Sequence, residues 1–271
     1  MPKKKDKTYP FLTPFPVICA HRGDSAFYPE NTLPAFHSAA ELGVDCIESD
    51  VHLTADGECV LWHDSTVDRM TDGKGQISSF TLTELRKLDA GYGYRNPEGD
   101  FPFRNQGICI PTLAETLEAL PAMRFNLDLK GTSLKLAERF IDTIYAFDAQ
   151  HRVLGASFHH RQVSRIRRLG PDIVTSFSEA EARRLLISRW CGLLSLSFPF
   201  AGKILQVPEY AGKIHVVTPG LIGKLHENKV KVQVWTINEE EDMKRLLAMG
   251  VDGIISDDPR LLMKVIQDIR S

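Results

Sequence analysis

Long hydrophobic runs are absent from this sequence of 271 residues. No window approaches the roughly 18 to 20 consecutive apolar residues that a membrane-spanning helix requires, so any contact with a membrane would be peripheral. The opening stretch, MPKKKDKTYPFLTPFP, begins with basic residues, but Pro10, Pro14 and Pro16 interrupt the apolar run that a signal peptide would need. We therefore expect a cytoplasmic protein.

Paired cysteine motifs and an excess of charge are missing as well. The five cysteines are widely spaced and none forms a C-x-x-C pair, so neither a disulfide framework nor a zinc knuckle is indicated. The formal net charge is −2, whereas a nucleic-acid partner normally demands clustered positive charge. These absences leave a small-molecule or lipid-like substrate as the expected partner, and the sequence does not specify an oligomeric state.

The sequence does contain a regular alternation of short apolar runs with amphipathic stretches of helical length. The chain length suits a single (β/α)₈ barrel, which typically needs about 250 residues. We predict one α/β domain over residues 1–271, a TIM barrel spanning about 17–262, with an open doubly wound sheet as the alternative. The eight predicted strands centre near residues 18, 46, 126, 154, 174, 205, 233 and 254.

One stretch, from about residue 65 to 110, interrupts this alternation. It is rich in glycine, aromatic and polar side chains, and it is too long for an ordinary loop between a strand and a helix. We predict a small insertion after the His63 strand, packed near the mouth of the barrel. Ligands bind at the mouth in barrels of this type.

Two carboxylates, Glu48 and Asp50, alternate with Ile47 and Val51 on a predicted strand. The outward face of a barrel strand must be apolar to pack beneath helices, so the carboxylates are expected to face inward. On an isolated edge strand the same pattern would be a solvated polar stripe. Two inward carboxylates repel one another unless a cation bridges them, and hard oxygen ligands favour Mg²⁺, Ca²⁺ or Mn²⁺.

The strand RFNLDLK repeats this pattern, since Asn126, Asp128 and Lys130 alternate with apolar residues. Asp128 is a candidate third ligand for one divalent cation. Lys130 could balance the charge of an anionic substrate, or it could form a structural ion pair with one of the carboxylates.

A second strand is expected to return from Asp50, because Asp56 and Gly57 lie between two alternating stretches and are typical of a hairpin turn. If these two residues alone form the turn, the register places His63 opposite Asp50, with its side chain on the carboxylate face. The hairpin thus predicts that a histidine reaches the cation site.

His21 and Arg22 follow the apolar strand VICA and precede Gly23, at the end of the strand where barrel chemistry is located. A single histidine is more often a structural hydrogen-bonding residue. Beside a metal site, however, this tripeptide supplies a proton carrier, a forked anion ligand and a flexible backbone. His21 and His63 could act as an acid–base pair on a metal-bound anion, with Arg22 and Lys130 neutralising phosphoryl charge.

These motifs resemble those of the glycerophosphodiester phosphodiesterase family, within the phosphatidylinositol phospholipase C-like superfamily of TIM-barrel phosphodiesterases. The similarity covers roughly residues 17–262 and rests on AHRGDSAFYPENTLPAF, IESDVHLTADGECVLWHD, DRMTDGKGQISSFTLTEL, NLDLK and GVDGIISDDP. It implies a TIM barrel with a small inserted segment. It also implies metal-dependent hydrolysis of glycerophosphodiesters to glycerol phosphate and an alcohol.

The resemblance assigns roles to individual residues. The roles it implies are acid–base catalysis for His21 and His63, metal binding for Glu48, Asp50 and Asp128, and phosphate binding for Arg22 and Lys130. The family commonly has glutamate at the position of Asp128, so the carboxylate here is one methylene shorter. Three weaker candidates for substrate binding are Glu30, which could instead anchor its loop, Trp235, which could instead pack in the core, and Gln206.

Other functions fit parts of the sequence. A lysophospholipase D would use the apolar segment RWCGLLSLSFPFAGKI, residues 189–204, as a lip for an acyl chain, whereas the simpler interpretation of this segment is an ordinary barrel loop. A noncatalytic lipid- or phosphate-binding barrel predicts the loss of a histidine or a ligand, whereas every such position carries a competent residue. A metal-dependent aldolase or isomerase leaves the paired histidines unexplained. The sequence does not choose between attack by water and attack by the substrate's own 2-hydroxyl, which would give a cyclic phosphate first.

Overall fold

The computed structural model describes Phe11, residues 15–190 and residues 201–270, with the side chains of residues 189 and 190 excepted. The strands are β1 (Val17–His21), β2 (Cys46–Leu53), β3 (Cys59–Leu61), β4 (Phe125–Leu129), β5 (Val153–Ala156), β6 (Val174–Thr175), β7 (Ile204–Val207), β8 (Tyr210–Ala211), β9 (Ile214–His215), β10 (Lys231–Val234) and β11 (Gly253–Ser256). The helices are α1 (Leu33–Leu42), α2 (Leu82–Leu85), α3 (Leu113–Ala119), α4 (Leu134–Ala146), α5 (His160–Leu169), α6 (Glu179–Trp190), α7 (Pro219–Glu227), α8 (Glu240–Met249) and α9 (Pro259–Arg270). No helix within these described ranges is both long and apolar enough to cross a membrane.

Eight parallel strands form a nearly closed ring in the order β6–β5–β4–β2–β1–β11–β10–β7. The two ends of this sheet meet, because Ser176, just after β6, forms a parallel bridge with Ile204 of β7. Each predicted strand position falls on one of these eight strands, and the predicted TIM barrel is confirmed. The open-sheet alternative is wrong, since the two ends of the sheet are joined.

Alternation along the strands separates two apolar layers. Ile18 and Ala20 of β1 pack in the large cluster beneath the helices, whereas Val17 and Cys19 belong to a second cluster that includes Cys46 of β2. The other members of the second cluster are Phe11, Leu154, Ala156, Val174, Ile204 and Ile255. Because side chains two residues apart share a face of a strand, the inward positions that follow this apolar plug point towards the mouth of the barrel.

The residues between β3 and α3 form a small unit with its own core. Trp62, Val67, Ile77, Leu85 and Ile110 are buried together there. The unit packs on the loop between β1 and α1, where Tyr94 donates a hydrogen bond to the carbonyl oxygen of Ala26 over 3.0 Å. Since that loop follows the carboxyl end of β1, the inserted unit stands beside the mouth of the barrel.

The β2–β3 hairpin has a register one residue away from the prediction. Val51 pairs with Leu61 and the Trp62 amide donates to the Asp50 carbonyl over 2.9 Å, so Trp62, and not His63, lies opposite Asp50. A two-residue turn of the expected kind needs positive φ at both turn residues, but here only Gly57 has one, at +91°. The chain forms a three-residue turn instead.

Side-chain hydrogen bonds fix this longer turn. Thr54 donates its hydroxyl to Asp56 over 2.6 Å, and Asp56 also accepts from the Leu82 amide at the start of α2 over 3.1 Å. A regular ladder in the observed register would turn His63 away from the carboxylates. The strand ends at Leu61 and the Trp62 amide makes the next hydrogen bond to β2, so the position of His63 depends on the loop that follows.

Candidate active site

A cavity of about 460 Å³ opens where the barrel strands end. It brings together residues from β1, β2, β4 and the loops that follow them with residues from the second half of the barrel. Of the predicted site residues, the following line it: His21, Arg22, Glu48, Asp50, His63, Asp128, Lys130, Gln206 and Trp235. Glu30 does not line the cavity.

Strand pairing places the predicted acidic residues side by side. Glu48 is aligned with His21 across β1 and β2, and Asp50 is aligned with Asp128 across β2 and β4. Aligned residues of a parallel pair point to the same face of the sheet, so all of these side chains share the interior. The three acidic residues are buried, with exposed fractions of 8% for Glu48, 1% for Asp50 and 8% for Asp128.

Burial makes the three carboxyl groups unequal. Burial and the neighbouring Asp50 raise the pKa of Glu48 to about 8. Burial also raises the pKa of Asp128, against the opposing effect of Lys130. Burial alone would raise the pKa of Asp50 too, but Lys130 and Arg22 outweigh it and the pKa of Asp50 is lowered. Three carboxyl groups of unequal acidity thus lie beside two cations, Lys130 and Arg22.

Lys130 forms ion pairs within this cluster. Its Nζ lies 2.8 Å from Asp50 Oδ1 and 2.7 Å from Asp128 Oδ2. Burial would lower the pKa of Lys130, but the two carboxylates raise it overall, so the side chain stays positively charged. Lys130 thus forms the predicted ion pair and also lines the cavity.

His21 is bound to an aspartate that sequence reasoning did not identify. His21 Nδ1 lies 2.6 Å from Asp257 Oδ1, and Nε2 lies 3.8 Å from Glu48 Oε2. Burial would lower the pKa of His21, but the hydrogen bond to Asp257 and the charge of Glu48 raise it overall. Because a carboxylate can only accept, Nδ1 carries the proton in this pair and Nε2 is the nitrogen available to a substrate.

His63 has the same arrangement. Its Nδ1 lies 2.7 Å from Asp64 Oδ1. Burial would raise the pKa of Asp64, but Arg69 and His63 lower it, so Asp64 is an acceptor. Although the hairpin register was predicted wrongly, His63 lines the same cavity as Asp50, because the chain leaves the ladder before reaching it.

Arg22 has a backbone conformation that is uncommon for a residue with a side chain, with φ at +58°. Its Nη1 donates to Glu30 Oε1 over 2.9 Å, and its Nε lies 3.6 Å from Asp50 Oδ2. Glu30 is also held by Arg69, so both of its oxygens are occupied. The alternative role for Glu30, as an anchor of the first loop, matches these contacts.

An aromatic pair forms another side of the cavity. The rings of Phe158 and Trp235 meet edge to face with centroids 6.1 Å apart. Phe158 is 49% exposed and lines the cavity, so its ring is open to a ligand there. Gln206 donates from Nε2 to Gln233 Oε1 over 2.9 Å. Trp235 lies at the cavity and is not confined to the core.

Asp257, Asp64 and Phe158 were missed from the sequence, although two of them carried a signal. Asp257 directly follows the end of β11, and carboxylates at the carboxyl ends of barrel strands are candidates for chemistry. Asp64 directly follows the candidate His63. Phe158 follows β5 but shares no pattern with the other site residues.

The residues of the cluster fit a divalent cation by their chemistry. Glu48 Oε2, Asp128 Oδ1 and Asn126 Oδ1 are buried and have no hydrogen-bond partner. Unpartnered buried oxygens are costly, and an oxygen-only donor set suits Mg²⁺, Ca²⁺ or Mn²⁺. As the side chains stand, no group of three His, Cys, Asp or Glu residues in the described part of the chain is arranged to hold a metal ion. The metal site therefore stays a prediction.

Residues 189–204, which a lysophospholipase D would use as an apolar lip, lie largely outside the described residues. The described part of the neighbouring helix, α6, does reach the cavity, since Ala182, Arg183 and Leu186 line it.

The chain is similar to known proteins over nearly its whole length. Residues 21–261 match the model of the glycerophosphoryl diester phosphodiesterase family. A glycerophosphodiester phosphodiesterase from Caldanaerobacter subterraneus subsp. tengcongensis is 35% identical over 260 residues, which are 93% of this chain and 98% of that protein.

Solved structures of phosphodiesterases are also similar to this chain. A phosphodiesterase from Oleispira antarctica, solved in complex with the product sn-glycerol-3-phosphate, has a TM-score of 0.74 at 28% identity, with 93% of this chain and 97% of that chain covered. The glycerophosphoryl diester phosphodiesterase domain of a Mycobacterium tuberculosis protein has a TM-score of 0.83 at 23% identity, with 94% and 100% covered, and at that identity it supports the fold alone.

Proposed function

This chain belongs to the glycerophosphoryl diester phosphodiesterase family and is an enzyme of that class, and from this premise we propose that it hydrolyses glycerophosphodiesters to sn-glycerol 3-phosphate and an alcohol. The observation that carries the proposal is the pair of histidines in one cavity, each bound through Nδ1 to an aspartate. The Oleispira antarctica relative, with sn-glycerol 3-phosphate as its product, supports the choice of product.

The two histidines support acid–base catalysis. Because Nδ1 of each ring is engaged, Nε2 of His21 and Nε2 of His63 face the chemistry. One imidazole accepts the proton of the attacking hydroxyl, and the other donates a proton to the leaving alcohol oxygen as its bond to phosphorus breaks. The attacking group is water or the substrate's 2-hydroxyl; a cyclic phosphate detected early in the reaction would identify the second.

Cationic groups support binding of the phosphoryl oxygens. Arg22 Nε is buried without a hydrogen-bond partner, so it is a donor that an anionic ligand would satisfy. Lys130 keeps a positive charge and, like Arg22, lies beside Asp50. Glu48, Asp50 and Asp128 would hold one Mg²⁺, Ca²⁺ or Mn²⁺ ion, which would supply further positive charge against the charge that develops on the phosphoryl group.

The test is release of sn-glycerol 3-phosphate from glycerophosphocholine with each metal and with a chelator. We expect His21→Ala and His63→Ala each to lower kcat by about 10²- to 10⁴-fold, the usual contribution of a positioned acid or base. His226→Ala is a matched control, because His226 Nε2 lies 2.6 Å from Asp252 Oδ2 yet the ring does not line the cavity.

Each part of the proposal has its own contradicting result. Absence of cleavage with every metal contradicts the hydrolase function and favours a noncatalytic barrel. Cleavage that persists in chelator contradicts the metal dependence. Full activity of His21→Ala contradicts the histidine pair while leaving the substrate assignment intact.

A second substrate class, the lysoglycerophospholipids, is favoured by the apolar side of the cavity. Phe158, Phe177, Leu186 and Trp235 line that side. An acyl chain would cover such a surface, as in a lysophospholipase D. The comparison of kcat/KM for glycerophosphocholine and for lysophosphatidylcholine decides between the two classes, and preference for the lysolipid would replace the first assignment.

A further inference from the structure

Arg69 lies outside the cavity but holds two acidic residues at once. Its Nε lies 2.6 Å from Asp64 Oδ2, and its Nη1 and Nη2 lie 2.9 and 2.7 Å from Glu30 Oε2 and Oε1. The arginine side chain is 47% exposed, whereas its partners Glu30 and Asp64 are only 16% and 25% exposed. One guanidinium thus uses three nitrogens to hold two carboxylates that are largely buried.

Each of these carboxylates also contacts a residue of the cavity. Asp64 uses its other oxygen, Oδ1, for His63 Nδ1 at 2.7 Å. Glu30 Oε1 accepts from Arg22 Nη1 over 2.9 Å as well as from Arg69. Arg69 thus lies at the junction of two short chains of hydrogen bonds, one leading to His63 and the other to Arg22.

We propose that Arg69 is a positioning residue that holds His63 through Asp64 and Arg22 through Glu30. The proposal rests on the proposed function, since it concerns the groups that would act on the phosphodiester. The planar guanidinium presents donors in fixed directions and can hold two carboxylates together, whereas a lysine presents one compact charge. Arg69 also joins the inserted unit, which carries Asp64, to the first loop, which carries Glu30.

The two chains of hydrogen bonds predict different kinetic effects. Asp64→Asn should lower kcat, because it disturbs His63, and Glu30→Gln should chiefly raise KM, because it disturbs Arg22. Arg69→Met should do both, with a decrease in kcat of about 10- to 100-fold, the usual effect of losing a residue that orients a functional group. Arg69→Lys should fall between Arg69→Met and the wild type.

The double variant Arg69→Met/Asp64→Asn tests the connection itself. The effects of substituting two residues that act through one another are not additive. The kcat of the double variant should therefore be no lower than that of the less active of the two single variants. Arg245→Met is a matched control: Arg245 is 43% exposed, holds Glu209 through two nitrogens at 2.6 and 2.8 Å, and contacts Asp242 at 2.6 Å. It touches no residue of the catalytic pair and should leave kcat and KM unchanged.

Thermal unfolding of each variant separates a loss of fold from a loss of positioning, and Arg69→Lys serves where Arg69→Met fails to fold. Wild-type kcat and KM in Arg69→Met, or additive effects in the double variant, would overturn the role of Arg69. Both of these outcomes can be measured only if the wild-type protein hydrolyses the substrate. Absence of wild-type hydrolysis contradicts the proposed function instead, so the two failures are distinguishable.

Discussion

Asp257→Asn is expected to impair catalysis by changing which nitrogen of His21 carries the proton. Asn238 has a fixed orientation, because its Oδ1 accepts from the Ser256 hydroxyl over 3.1 Å and from the amide of residue 257 over 3.0 Å. Its Nδ2 therefore donates to Oδ2 of Asp257, at 2.7 Å. An asparagine at position 257 would turn its oxygen towards Asn238 and its NH₂ group towards His21.

That arrangement makes Nδ1 of His21 an acceptor and moves the proton to Nε2. A hydrogen bond to a charged group contributes about 1.5–3 kcal/mol, and each 1.36 kcal/mol is a factor of ten in rate. Loss of the hydrogen bond between His21 and the Asp257 carboxylate therefore corresponds to a decrease in kcat of about 10- to 150-fold. The side chain of Asp257 is 38% exposed, and solvent weakens such a bond. We therefore expect a decrease in kcat of about 10- to 30-fold, near the lower end.

The assay is kcat at saturating glycerophosphocholine, together with the ¹⁵N chemical shifts of the His21 ring, which distinguish its tautomers. Asp252→Asn is the control, since it changes an aspartate bound to His226 away from the cavity. Wild-type kcat in Asp257→Asn, with the His21 proton still on Nδ1, would refute the reasoning.

Three other perturbations test separate features. Asp128→Glu lengthens the short carboxylate, and we expect a lower metal concentration for half-maximal activity; an unchanged or higher requirement contradicts Asp128 as a ligand. Gly23→Ala places a Cβ 2.8 Å from the backbone of Ala35 at a φ of +87°, so we expect a loss of about 1–3 kcal/mol in unfolding free energy, measured with urea. The pKa of Glu209 is lowered, chiefly by hydrogen bonds from Arg245. The ionised carboxylate therefore stabilises the fold at pH values above the ordinary pKa of glutamate, and this stabilisation is lost as the pH falls through the lowered pKa. Glu209→Gln should therefore show a smaller fall in melting temperature from pH 7 to acid pH than the wild type, and an equal fall would contradict this account.

The barrel and its acidic cluster could be predicted because they depend on local patterns. Alternation along β2 and β4 indicated which faces of the strands carry Glu48, Asp50 and Asp128, and strand pairing then aligned them. The hairpin register was predicted wrongly because the turn depends on Thr54 and on the backbone of α2, and not on Asp56 and Gly57 alone.

Contacts between distant parts of the chain could not be predicted in this way. His21 and Asp257 are 236 residues apart, and Arg69 and Glu30 are 39 apart. No periodicity of the sequence records such a pair. Only the geometry of the folded barrel, with β1 beside β11 and the inserted unit against the first loop, brings these side chains together.

The pairing of β1 with β11 also determines when the enzyme could first become active during synthesis. His21 leaves the ribosome with the first strand, whereas Asp257 follows the last strand of the barrel. A nascent chain that has folded every earlier strand still lacks the partner that fixes the His21 proton. We therefore expect full activity only after the ring of strands has closed, so that the rise to full activity would report the completion of folding.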